Sequence, residues 1–299
     1  MREMGIPPEY VKAAKITREV REWVKGRVVP GSEYLDICEK VEGEIVQRGG
    51  GVAFPTGVGV NSVTAHFAPQ AGERGKVGEK DVVKVDFGVH VDGYVADTSI
   101  TTTYNPQFQP MLEATERALR AAIDVLRRDR RIGEVSKAIY SAASRYGFKT
   151  ISNLSGHTLD RYVVHAGKSI PNVYMPNLPT LKKGEVFAVE PFLTTREAEG
   201  YVVDSDIETI FALVGRRRLG NGELDGLVEM IWGERKTLPF TPRWFLKDYR
   251  EARLLSLLDE LVKRKVVRSY ATLVEASGKP VAQFEHTMAL EDEGLVILT

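Results

Sequence analysis

Two aspartates occupy the part of the sequence with the strongest β-strand pattern. Asp86 and Asp97 lie in DVVKVDFGVHVDGYVADTSITTTY, two β-rich runs around a Val91-Asp92-Gly93 turn, which predicts a hairpin. They are 11 positions apart, so we expect them on one face of the sheet and nearly opposite each other. Carboxylates opposed in this way repel, and a bound cation would offset the repulsion. From the hairpin alone, a cation site and an exposed face with two unrelated aspartates are equally compatible with the sequence.

Three more residues extend this pair into a candidate metal centre. His157 ends the segment Asn-Leu-Ser-Gly-His, Glu190 ends the apolar run 186–189, and Glu285 ends a similar run. A buried carboxylate needs a partner or a metal. Four carboxylates with one imidazole suit Mn, Fe, Co or Zn better than a thiolate-seeking metal, and they suffice to bridge two ions. Each residue alone is more readily explained as structural, so the set of five is what favours a metal centre.

Two helices are predicted before the hairpin. Pro7 and Pro8 open the first, which runs toward Lys25 with apolar residues near helical spacing. Ser32 is the predicted N-cap of the second, and Gly49 begins the glycine run that ends it. These helices can cover the apolar face of the hairpin.

The rest of the chain predicts two more helices, at about 109–128 and 133–146, followed by strands from about 150 to 214. From 215 to about 277 the pattern is mostly helical. Two short apolar runs then close the chain. We therefore predict one α/β platform that is interrupted near its end by a helical insertion.

The composition excludes several classes of protein. The 299 residues carry 41 basic and 41 acidic side chains and are 43% hydrophobic, so the chain is not predominantly disordered. No segment approaches the roughly 18 consecutive apolar residues of a membrane span, and the N-terminus lacks the apolar core of a signal peptide. Cys38 is the only cysteine, which favours a reducing cytoplasm. The balanced charge gives no reason to expect membrane or DNA partners.

The sequence resembles the methionine aminopeptidases, specifically the type 2 branch in its short archaeal form. The resemblance covers essentially the whole chain, with five motifs in the order found in that family. They are AFPTGVGVNSVTAHFAP (53–69), KVDFGVHVDGYVADTSIT (84–101), ISNLSGHTLDRYVVHAGKSIPN (151–172), GEVFAVEPF (184–192) and AQFEHTMAL (282–290).

This resemblance implies the pita-bread (creatinase/aminopeptidase) fold of the M24 metallopeptidases. It is an α/β (α+β) fold in which a curved antiparallel sheet with pseudo-two-fold symmetry is covered by helices. Residues 1–214 and 276–299 would form the catalytic domain, and 215–275 would form the helical insertion typical of type 2.

The resemblance also implies a role for each candidate ligand. Asp86 would chelate one divalent ion, His157 and Glu190 would bind a second, and Asp97 and Glu285 would bridge the two. Such a pair lowers the pKa of a shared water and polarises a peptide carbonyl. Cobalt, manganese, iron and zinc remain open as the metal.

Four further residues match positions of the substrate site in this family. His66 and His165 would bind the substrate backbone and stabilise the tetrahedral intermediate or the leaving amine, while Glu190 relays the proton of the attacking water. Phe54 and Phe192 would line the methionine pocket. Without the resemblance, the two histidines would be read as structural, and the two phenylalanines would be equally plausible as core residues.

The expected activity is removal of the initiator methionine from nascent proteins with a small second residue, by a monomeric enzyme acting on peptide N-termini. One alternative keeps the fold but takes a proline-specific substrate, as aminopeptidase P and prolidase do. The other is a binding module without catalysis. Residues 215–270 hold 13 basic and 8 acidic side chains, so transient contact with the ribosome through 216–218 and 263–265 is a further expectation, although a solvated helix face explains them more readily.

Overall fold

The structure is a computed structural model that describes residues 5–299. Its helices are α1 (Pro8–Val24), α2 (Tyr34–Gln47), α3 (Gln109–Leu126), α4 (Ile132–Arg145), α5 (Gly222–Arg235) and α6 (Glu251–Lys263). Its strands are β1 (Gly51–Val60), β2 (Val63–Ala65), β3 (Val82–Val91), β4 (Tyr94–Thr103), β5 (Lys149–Thr150), β6 (Ser155–Leu159), β7 (Ser169–Pro171), β8 (Val186–Val189), β9 (Phe192–Thr194), β10 (Val202–Leu213), β11 (Val267–Glu275), β12 (Val281–Gln283), β13 (His286–Glu291) and β14 (Gly294–Ile297). None of the described helices is both long and apolar enough to cross a membrane.

All strand pairs among the described residues are antiparallel. The strand orders are β1-β3-β4, β10-β11-β2, β12-β9-β5 and β14-β13-β8-β6-β7. Helices α1 and α2 pack on the first of these sheets, and α3 and α4 pack on each other and against β5, β7, β9 and β12. The predicted α/β class, with helices covering antiparallel sheet in both halves, is confirmed.

Strand β3 shows how the sheet separates its two faces. Val85, Phe87 and Val89 are fully buried in the main hydrophobic core, beneath the helices. Because side chains alternate along a strand, Asp86 points to the opposite face. The helices therefore cover one face of the platform and leave the other free to build a site.

The hairpin places the two aspartates on one face, as predicted, but not opposite each other. Asp86 pairs with Ser99, and Asp97 pairs with Gly88. The turn contains only Asp92 and Gly93, both with positive φ, as in the two-residue turns that suit hairpins. The turn lies one residue later than an opposed pair would require, so the two carboxylates are two residues out of register. They are diagonal neighbours and repel less than an opposed pair would.

The predicted N-cap of the second helix is wrong. Helix α2 begins at Tyr34, and Glu33 occupies the cap position without a side-chain hydrogen bond. The hydroxyl of Ser32 instead accepts a hydrogen bond from the Val29 N–H at 3.2 Å. The Tyr34 N–H donates to the Gly75 carbonyl at 2.9 Å, so a distant loop satisfies a donor that a cap would normally serve.

Helices α5 and α6 form a separate small core between β10 and β11. Leu227, Phe240 and Leu258 belong to this core and are buried. The range that we predicted to be helical also contains strand β11, which pairs with β10. Its sequence VRSYATLVE is rich in β-branched and aromatic residues, a β pattern that the preceding leucine-rich helix obscured.

A buried ionic network joins this insertion to the platform. Glu42 on α2 accepts hydrogen bonds from both terminal nitrogens of Arg243, from the Trp244 indole N–H at 2.9 Å and from the Thr56 N–H at 3.1 Å. Glu42 is only 8% exposed, and a buried charge with this many donors is well satisfied. The network fixes the insertion beside the free face of the sheet.

Candidate metal centre

A cavity of about 230 Å³ opens on the free face of the sheet. All nine residues that the sequence singled out for catalysis, metal binding or the substrate pocket line it. They are Phe54, His66, Asp86, Asp97, His157, His165, Glu190, Phe192 and Glu285.

The hairpin supplies the first two carboxylates. Asp86 lies on β3 and Asp97 on β4. The backbone of Asp97 is held by Thr287, whose hydroxyl oxygen accepts from the Asp97 N–H at 2.7 Å and donates to the Asp97 carbonyl at 2.8 Å. Gly88 lies opposite Asp97, and a Cβ there would approach the Phe54 ring to 2.3 Å. The glycine therefore lets an aromatic ring lie beside the carboxylates.

The second half of the fold supplies the remaining candidate ligands. His157 lies on β6, Glu190 directly follows β8, and Glu285 lies between β12 and β13. The His157 Nε2 is 3.4 Å from a Glu190 oxygen and 3.8 Å from an Asp97 oxygen. Ligand atoms of Asp97, His157 and Glu285 lie within 4.8 Å of one another, which is close enough for one cation to contact all three.

Gly156 allows this approach of the two strands. A Cβ on Gly156 would lie 2.3 Å from the Ala188 carbonyl oxygen of β8, which no side chain could tolerate. His157 pairs with Ala188 in the same ladder. The glycine before the histidine thus has a packing role, since it brings His157 close to Glu190.

Burial shifts the pKa of every candidate ligand in the direction that favours the neutral side chain. It raises the pKa of Asp86 to about 7. Burial and then the neighbouring carboxylates raise the pKa values of Asp97, Glu190 and Glu285 well above the ordinary range. Burial, with His165 beside it, lowers the pKa of His157 to about 3. The imidazole is therefore neutral and able to ligate, and the carboxylates need a positive charge among them to ionise together.

Three carboxylate oxygens of this cluster are buried and have no hydrogen-bond partner. They are Asp86 Oδ1, Asp97 Oδ1 and Glu285 Oε1. Buried polar atoms without partners are rare and costly, and a bound cation would satisfy all three. Oxygen donors with one imidazole fit a divalent transition metal, so the residues present suit such an ion.

Gln283 is a member of the site that our sequence analysis missed. Its amide donates to a Glu190 oxygen at 3.0 Å and also hydrogen-bonds Asp86, whose pKa it lowers. The Ser99 hydroxyl donates to the side-chain oxygen Oε1 of Gln283 at 3.0 Å, which orients the amide nitrogen toward the carboxylates. Strand alternation could have revealed it, because Gln283 lies two residues before Glu285 in one motif.

We expect Gln283→Leu to weaken Mn²⁺ binding by about tenfold or more, because partners that orient metal ligands typically contribute this much. Competition between the chain and a fluorescent chelator measures the affinity. Gln107→Leu is the matched control, since Gln107 is exposed and does not line the cavity. Unchanged affinity in a folded Gln283→Leu variant would show that the amide does not position the carboxylates.

The two non-ligand histidines lie on the rim of the cluster. The His165 ring packs edge-on against His157 with 4.3 Å between centroids. His66 has a positive φ of 62°, and its carbonyl accepts hydrogen bonds from the hydroxyls of Thr209 and Thr272. Desolvation lowers the pKa of both histidines, to about 4 for His66. Both rings are therefore neutral and can each donate one N–H to a substrate.

The chain is similar to known proteins of one family. The model of metallopeptidase family M24 matches residues 9–216. The methionine aminopeptidase of Pyrococcus horikoshii is 38% identical over 292 residues, which cover 97% of this chain and 98% of that protein.

Two solved structures share the fold. The structure of a thermophilic Arx1 has a TM-score of 0.82 at 19% identity and covers 97% of this chain and 89% of that one. The methionine aminopeptidase of Rickettsia prowazekii has a TM-score of 0.70 at 20% identity, with complete coverage of both chains. At these identities the likeness concerns the arrangement of helices and strands.

Proposed function

This chain belongs to metallopeptidase family M24 and, within it, to the methionine aminopeptidases, and from that premise we propose that it removes the initiator methionine of nascent proteins at a centre of two divalent ions. It is a metallo-aminopeptidase that acts on peptide N-termini. One observation supports the metal centre: five donor residues from both halves of the fold line a single cavity, and three of their carboxylate oxygens are buried without partners.

We divide the five ligands between two ions as the family resemblance implies. Asp86 would hold one ion, while His157 and Glu190, whose ligand atoms are 3.4 Å apart, would hold the other. Asp97 and Glu285 would serve both, and Asp97 suits this role because it shares the hairpin with Asp86 and lies 3.8 Å from the His157 Nε2. When bound, the ions supply Lewis-acid chemistry that activates water and polarises the scissile carbonyl.

The protein side chains position the substrate and move the proton. Glu190 would accept the proton of the attacking water, because it lines the cavity beside the other candidate ligands. His66 and His165, both neutral, donate to the scissile carbonyl and stabilise the leaving amine. Phe54 and Phe192 line the same cavity and would contact the methionine side chain, whose thioether favours aromatic neighbours.

The remaining expectations concern the setting of the enzyme. We assign residues 1–214 and 276–299 to the catalytic domain and 215–275 to the insertion, and we place the enzyme in the cytoplasm as a monomer.

Ribosome contact through the basic clusters of the insertion, residues 216–218 and 263–265, is not favoured. Arg216 pairs with Glu229, Lys263 with Asp259 and Arg264 with Glu260, so three of the six basic side chains are already neutralised by acidic neighbours.

The substrate class can be tested with three peptides and the Mn²⁺-loaded chain. We expect Met-Ala-Ser to be hydrolysed, Met-Leu-Ser to react about tenfold or more slowly because of its larger second residue, and an Ala-Pro dipeptide to persist. Liberated amino acids are quantified by chromatography. Preferential hydrolysis of Ala-Pro would instead assign the chain to a proline-specific peptidase, and the absence of any hydrolysis would favour a binding module.

A further inference from the structure

A second cavity continues from the metal cavity past His165. Its volume is about 240 Å³, and it shares Val164, His165, Pro239 and Tyr270 with the first cavity. We call it the outer groove. Its other walls come from the loop before His165, the facing ends of β10 and β11 and the insertion, and they include Tyr162, Val163, Ala212, Val214, Thr237 and Arg268.

Strand β11 runs from the metal cavity into the outer groove. Arg268 and Tyr270 lie on the same face of the strand, and they pair with Ala212 and Ile210 of β10. Tyr270 and Ile210 line the metal cavity, whereas Arg268 and Ala212 line only the groove. Because a strand advances about 3.3 Å per residue, Arg268 lies about 7 Å beyond Tyr270 along the groove.

The Arg268 side chain is the unpaired charge of the outer groove. It is exposed, and within residues 5–299 it forms no ion pair or side-chain hydrogen bond. No acidic residue lines the groove in the described part of the chain. The positive charge of Arg268 acts on the metal cavity, because together with burial it lowers the pKa of His165, which lines that cavity. A free guanidinium between apolar walls is a recognition group for a carboxylate.

The outer groove is placed to receive the substrate beyond the scissile bond. In the proposed function the N-terminal methionine fills the metal cavity, and His165, which borders both cavities, contacts the leaving amine. An extended third residue would then lie about 7 Å from the scissile carbonyl, at the level of Arg268. We propose, resting on the proposed function, that the outer groove binds this part of the substrate and that Arg268 selects N-termini with an acidic third residue.

Three C-terminally amidated peptides test this selection without a terminal carboxylate: Met-Ala-Asp-Gly-Trp, Met-Ala-Asn-Gly-Trp and Met-Ala-Lys-Gly-Trp. We expect kcat/KM for the Asp peptide to exceed that for the Asn peptide about two- to fivefold, as an exposed ion pair provides, with the Lys peptide slowest. The difference should appear mainly in KM, because the contact is remote from the reacting atoms. It should shrink in 0.5 M salt, because the Debye length there is only about 4 Å and an exposed ion pair is screened.

Variants of Arg268 separate charge recognition from a structural role. Arg268→Gln should bring the Asp and Asn peptides to the same kcat/KM, and Arg268→Glu should make the Lys peptide the best of the three. Arg264→Gln is the control, since Arg264 is paired with Glu260 outside the groove and should keep the Asp preference. Equal rates in the unmodified chain, or an Asp preference that survives Arg268→Gln, would overturn the proposal. Failure to cleave even the Asn peptide would instead contradict the proposed function.

Discussion

Removal of divalent metal should abolish hydrolysis of Met-Ala-Ser, with a loss of at least about 10³-fold. Without a cation, burial raises the pKa values of Asp97, Glu190 and Glu285 and so disfavours their charged forms, while the imidazole of His157 is neutral. Nothing in the cavity would then activate water or polarise the carbonyl. Activity is measured after dialysis against a chelator, and addition of Mn²⁺, Fe²⁺ or Co²⁺ should restore it.

A chelator already saturated with Mn²⁺ is the control for effects of the reagent other than metal removal. Circular dichroism should show that the chelated chain stays folded, because the main core does not depend on the metal cavity. Calorimetric titration with Mn²⁺ then counts the ions, and we expect two. Undiminished hydrolysis in a sample shown by elemental analysis to lack transition metals would refute a metal-dependent mechanism, and saturation at one ion would refute the two-ion centre.

Asp97→Ala should lower kcat/KM by at least about 10³-fold, even at saturating Mn²⁺. Asp97 connects the two halves of the cluster. It lies on the hairpin that also carries Asp86, and its carboxylate is 3.8 Å from the His157 Nε2 in the second half of the fold. Its removal would leave the two ions without one of their bridges. Steady-state kinetics on Met-Ala-Ser measures the loss.

Stability distinguishes this loss from unfolding. The pKa of Asp97 is raised by burial and by Asp86, so its charge destabilises the metal-free fold, and the alanine variant should melt no earlier than the unmodified chain without metal. Asp92→Asn is the control, because Asp92 is exposed at the hairpin turn and asparagine tolerates its positive φ. Substantial activity in the Asp97→Ala variant would remove Asp97 from the catalytic centre.

The hairpin shows which structural features the alternation of side chains along a strand can predict. Alternation along β3 predicted the face of Asp86, and the odd spacing predicted that Asp97 shares it. The spacing did not fix the register, because a two-residue turn at 91–92 and one at 92–93 both place the two aspartates on one face. Only pairing along the whole ladder placed Gly88 rather than Asp86 opposite Asp97.

Strand β11 shows where local pattern misled us. Its sequence follows the strongly helical LLSLLDELVKRK without a proline or glycine between them. We therefore predicted a mostly helical range that extended over the strand. Pairing with β10 over eight residue pairs overrides that reading. This strand brings Tyr270 to the metal cavity and Arg268 to the outer groove, two residues that the sequence did not suggest for either place.

The sequence by itself determined the chemistry available to this protein, because residue types and their order in five motifs are properties of the chain alone. It also determined which side of each strand a residue takes, since alternation is local. The tertiary structure decided which residues meet. His157 approaches Glu190 because Gly156 admits β8, Gln283 reaches two carboxylates because Ser99 orients it, and the groove joins the cavity because an insertion packs beside both. Such contacts depend on packing between distant segments, whose relative positions no local period encodes.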